Sequence, residues 1–72
     1  MRIEDIYKKY SAKIDRLDLE LLIAAAIKKP REFVLAHPEH IFTKAQISRL
    51  KFQIARRAKH EPLAYILGHK EF

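Results

Sequence analysis

The sequence has no cysteine, no tryptophan and one glycine, Gly68, in 72 residues. Without cysteine there are no disulfides and no thiolate metal sites. That fits a reducing compartment, and the expected location is cytoplasmic. A single glycine excludes a P-loop and a G-x-G-x-x-G turn, both of which need several. The longest apolar run, Leu21 to Ile27, has seven residues, whereas a membrane span needs about 20. A soluble chain with no membrane segment is expected. The opening MRIEDIYKKY carries acids and no apolar core, unlike a signal peptide.

What is present is a folded, basic composition. Hydrophobic residues make up 49% and charged residues 33%, the balance of a globular chain. At this length there is room for one domain with a small core. Fifteen Lys and Arg stand against nine Asp and Glu, a net charge of +6. Such a balance points to acidic protein, ribosomal or nucleic-acid partners, although a solvated surface explains it as well.

Apolar spacing predicts an all-α fold, a small five-helix bundle with short loops. Ile3, Ile6, Tyr7, Tyr10 and Ile14 share one helical face. The second segment opens on Asp15, Asp18 and Glu20 and closes on Lys28 and Lys29, complementing a helix dipole. Between them Leu17, Leu21, Leu22, Ala24, Ala25, Ala26 and Ile27 make it the expected central helix. Its alanines would let neighbours approach closely. Pro30 suits the first position of a third helix, in which Phe33, Val34 and either Leu35 or Ala36 turn inward. His37-Pro38 ends it, and Ile41 and Phe42 are expected to pin the following loop. Thr43-Lys44-Ala45-Gln46 reads as a capping box. It opens the longest helix, with Ile47, Leu50, Ile54 and Ala58 on its core side and Phe52 and Ala55 widening the stripe. Pro62 starts a last short helix with Leu63, Ile66 and Leu67 inward, closed by Gly68.

Chemistry is sparse. His37 and His40 flank a proline, and His60 and His69 are far apart, so three converging metal ligands are not expected. Ser11 and Ser48 lie in helical segments, not strained turns. Asp15 and Asp18 are better explained by the helix dipole than by acid–base work. No catalytic, cofactor-binding or metal residue is assigned. Basic side chains are the stronger lead: Arg49, Arg56 and Lys59 fall on about one helical face, with Arg57 beside it. That stripe could meet phosphates, but it lacks interleaved exposed aromatics for stacking, so nucleic acid is the less favoured partner.

The stretch from Arg56 to Gly68, Arg-Arg-x-x-x-Glu-Pro-Leu-Ala-Tyr-Ile-x-Gly, resembles the end of the N-terminal domain of HemK (PrmC) proteins. Ile14 to Leu22 is similar to that family's Arg-x-Asp-x-Glu-Leu-Leu helix, and Arg31 to Glu39 to its short helix and loop. One local departure is Lys28-Lys29-Pro30, where members often carry glycine. The resemblance implies residues 1–68 as a helical substrate-recognition domain. Residues 69–72 would begin a linker to the methyltransferase domain. The parent would be an S-adenosylmethionine-dependent enzyme that methylates a glutamine of class I peptide-chain release factors. The glycine-rich loop and Asn-Pro-Pro-Tyr motif of that second domain are not in this sequence, so the chain alone is expected to be non-catalytic. Arg49, Arg56, Arg57 and Lys59 are then expected to meet the release factor. The alternatives are a small RNA- or ribosome-binding module, or a structural cap on the catalytic domain. A further alternative has Arg56 or Arg57 pairing with Glu61 or packing against that domain.

Overall fold

The computed structural model describes residues 1–68 and contains five helices. These are α1 (Ile3–Tyr10), α2 (Arg16–Ile27), α3 (Arg31–Ala36), α4 (Lys44–Ala58) and α5 (Leu63–Leu67). Helix α2 is the hub and packs against each of the other four. Its mixed face explains why: Leu19, Leu22 and Ile23 are fully buried, so apolar side chains leave the helix in more than one direction. Around them close Ile3 and Ile6 from α1, Val34 from α3, Leu50 and Ile54 from α4 and Ile66 from α5.

Several residues expected in the core lie outside it. Leu17 is 51% exposed. It precedes Leu19 by two positions, and two positions on a helix rotate by about 200°. Leu21 is only partly buried and Ala25 is exposed. In α3, Val34 is buried and Phe33 partly so, while Leu35 and Ala36 face outward. Ile41 is also exposed. Neighbours in extended backbone point to opposite sides, so Phe42 turns in and Ile41 turns out.

The loop 37–42 completes the start of α1. The first amides of a helix lack partners within it. Here Ile3 N–H donates to the His40 carbonyl at 3.0 Å and Glu4 N–H to that of Pro38 at 3.1 Å. Phe42 N–H donates to the Met1 carbonyl at 2.8 Å. Asp5 accepts from the Arg2 backbone N–H at 3.0 Å. The N-terminus is thus tied down by backbone bonds to a segment some 40 positions away in sequence.

Three helices end on left-handed residues, and only one of these is glycine. At the end of α2, Lys28 (φ 57°) donates to Ala25 and Lys29 to Ala24. At the end of α4, His60 (φ 69°) donates to Arg57 and Glu61 to Arg56. Both are Schellman motifs, in which paired reversed bonds satisfy the last carbonyls. Gly68 (φ 67°) closes α5 with a single bond to Ala64. Pro30 and Pro62 precede the first helical residue of α3 and α5 rather than occupying it.

Charges bind the layers together. Glu20, 5% exposed, accepts from Arg31 at 2.7 Å and faces Arg16 at 3.4 Å. This carboxylate was expected to complement the α2 dipole. Instead it joins α3 to α2.

Candidate partner-binding face

Helix α4 carries all four candidate residues or their cap. It begins where the capping box predicts: Gln46 N–H donates to Thr43 Oγ1 at 3.1 Å, and Thr43 N–H to Gln46 Oε1 at 2.9 Å. Burying Leu50 and Ile54 against α2 fixes its rotation. The opposite side carries Ala45, Ser48, Arg49, Phe52, Ala55 and Lys59, all exposed.

The four basic residues divide into two pairs. Arg49 and Lys59 are exposed and have no ion-pair partner among the described residues. Arg56 and Arg57 are partly buried and engaged. Arg56 Nε donates to Glu61 Oε1 at 2.8 Å. Arg57 Nε donates to Asp18 Oδ2 at 2.9 Å, and its terminal nitrogen to the Glu61 carbonyl at 2.8 Å. Arg57 therefore clamps the α4–α5 turn onto α2.

Phe52 is 65% exposed and does not belong to the core stripe. It stands two positions from both Leu50 and Ile54, and so on the far side of the helix. That spacing was visible in the sequence. The Arg56 guanidinium lies 5.8 Å from the Phe52 ring centre. The outer face thus holds an exposed aromatic among cations, contrary to the expectation that none would be interleaved there. On the inner side, Gln53 is 8% exposed, a buried polar group that the apolar pattern does not announce.

The histidines are local. His37 Nδ1 lies 3.1 Å from Glu39 Oε2, and its ring packs 4.3 Å from Phe33. A backbone hydrogen bond and His37 hold the Glu39 carboxyl below the usual carboxylate range. Among the described residues no cluster of three acids or histidines converges on a metal position. His69 lies outside the described residues, as does the whole of the expected linker 69–72. No described helix is long and apolar enough to cross a membrane.

Fold and face together define a small all-helical domain with a basic, aromatic-bearing outer helix. The chain belongs to the PrmC N-terminal domain family, which matches residues 7–68. It is 53% identical over 57 residues to the release factor glutamine methyltransferase of Pseudomonas aeruginosa, covering 79% of this chain and 21% of that protein. It is 46% identical over 61 residues to that of Coxiella burnetii, covering 85% and 22%. A bifunctional methyltransferase of Rickettsia bellii is 46% identical over 57 residues, or 79% of this chain and 10% of that protein. The chain therefore spans about a fifth of the release factor methyltransferases, and less of the bifunctional one. No solved structure matches it significantly.

Proposed function

We propose that this chain is the substrate-recognition domain of a release factor glutamine methyltransferase, and that it holds a class I release factor for methylation by a separate catalytic domain. The described residues do not fit S-adenosylmethionine. The sole glycine caps a helix, and Asp18 and Glu20 are committed to arginines. The cofactor is proposed to bind in the part of the parent that this chain does not span. The observation that carries the reading is the division of the basic residues. Arg56 and Arg57 serve the fold, which leaves Arg49 on α4 and Lys59 at its end exposed and without an ion-pair partner among the described residues. Distant binding contacts raise the effective concentration of a reacting group, and basic side chains speed encounter with an acidic partner.

Titration of the isotope-labelled chain with a purified class I release factor tests this. Saturable shifts along α4 are expected, weakened by salt and by Arg49→Glu with Lys59→Glu. A release factor that moves no resonance sinks the reading. Calorimetry with S-adenosylmethionine should show no heat of binding. In the full-length parent the same charge reversals should slow turnover on intact release factor; unchanged turnover would favour a structural cap. The exposure of Phe52 beside Arg49 supports a second reading, a single-stranded RNA contact by stacking. That reading predicts affinity falling steeply with salt.

A further inference from the structure

Beside α2 and α4 runs a shallow trough, open to solvent, made of two adjoining hollows that share Ala26, Gln46 and Arg49. It exists because both helices present small side chains at its edges. Ala25 and Ala26 of α2 line the first hollow, and Ala26 lines the second beside Ala45 and Ser48 of α4. Two helices normally sit 8–10 Å apart, the distance set by the side chains between them, so an alanine floor leaves space for a third. Leu67 lines the first hollow and Phe52 the second.

Among the described residues the rim is one-signed: Lys28 and Arg49 line the trough, no carboxylate does, and neither cation has an ion-pair partner. Gln53 forms part of the wall, and its amide offers both a donor and an acceptor. The Phe52 ring is backed by the Arg56 guanidinium, which Glu61 holds in place. An exposed ring fixed in this way loses little freedom when it is covered.

We propose that this trough receives an amphipathic helix of the release factor, with acidic side chains against Lys28 and Arg49 and an apolar one against Phe52. The proposal rests on the reading above and gives it a site. Arg56 becomes a positioning residue that steadies Phe52 rather than a contact. A small-residue floor suits a helix laid into a groove, and one ring is a poor platform for successive bases. A second copy would bring like-charged rims together.

The test titrates the 72-residue chain with a purified class I release factor, using Phe52→Ala, Arg49→Glu and a charge-matched control, Lys8→Glu on α1. All three residues are exposed, so amide spectra should show an intact fold. Phe52→Ala and Arg49→Glu should each weaken binding about tenfold or more, as loss of an interface anchor does. Lys8→Glu should stay within about twofold, as an exposed charge outside the interface does. If the release factor binds but either trough variant matches the parent, the trough is wrong and the recognition role stands. If it does not bind at all, both fall. A single-stranded RNA oligonucleotide that displaces the release factor and shifts the Phe52 ring overturns the protein-helix assignment. So does a dimer in sedimentation that Phe52→Ala dissociates.

Discussion

Arg57 and Asp18, 39 positions apart in sequence, meet through a 2.9 Å bond from the guanidinium Nε to a carboxylate oxygen. The same arginine donates to the Glu61 carbonyl at 2.8 Å. One side chain thus joins the hub helix to the turn that launches α5. That turn needs an external clamp because α5 has only five residues, too few to be stable by itself.

Arg57→Ala should therefore cost about 1–3 kcal/mol, because it leaves the half-buried Asp18 carboxylate and a turn carbonyl without their charged donor. Urea denaturation checks this, and a cycle with Asp18→Ala isolates the pair. A coupling indistinguishable from zero would reduce the contact to a surface ion pair.

Two leucines of α2 differ sharply in burial. Leu22 is fully buried and Leu17 is half exposed. Leu22→Ala should cost about 2–5 kcal/mol, and Leu17→Ala no more than about 0.5 kcal/mol, as at other exposed positions. Thermal melts of the two variants should differ by many degrees. Equal melting points would place the hub helix in the wrong rotation.

Lys28 and His60 adopt a backbone conformation that costs a non-glycine residue about 1 kcal/mol. Lys28→Gly and His60→Gly should each stabilise the chain by up to about 1 kcal/mol, a rise of a few degrees in Tm. Lys28→Val should do the opposite, since a β-branched side chain fits this region worst. A loss of stability in both glycine variants would show that the lysine and histidine side chains contribute more than the strain they impose.

Helices α3, α4 and α5 are legible in the sequence because each has a strong start or stop signal: the three X-Pro pairs, Thr43 with Gln46, and Gly68; α1 and α2 are legible from apolar spacing. The left-handed end of α2 was legible only as a missing glycine at Lys28-Lys29-Pro30. The structure keeps the turn and strains the lysine. Which face is buried was harder to read in α2 and α4, because both carry apolar residues on opposite sides. Leu17 and Phe52 lie on the outward sides, each about 200° from its buried neighbours two positions away. The pairing of Arg56 with Glu61, five positions on, is among the alternatives the sequence offers; the pair of Arg57 with Asp18, 39 positions away, follows from tertiary packing and has no local pattern.

The Tyr7 hydroxyl is buried without a hydrogen-bond partner among the described residues. Its pKa is raised, first by burial and then by the Glu20 carboxylate, against the opposing pull of Arg16 and Arg31. The Arg16 guanidinium also lies 4.4 Å from the Tyr7 ring centre. A folded pKa above the unfolded value means that the folded state holds the phenol proton more tightly. The stability linked to that proton is full below the unfolded pKa, about 10, and is lost as pH rises through the folded value. Tyr7→Phe removes both the unpaired hydroxyl and the titration. At neutral pH it should be neutral or mildly stabilising, because no hydrogen bond is lost. Above about pH 10 its advantage over the parent should widen, since only the parent must ionise a phenol there. Lysine deprotonation alters both proteins alike, so the difference between their denaturation midpoints across that range isolates Tyr7. A constant difference would mean that the Tyr7 pKa is the same folded and unfolded, and that the hydroxyl reaches solvent.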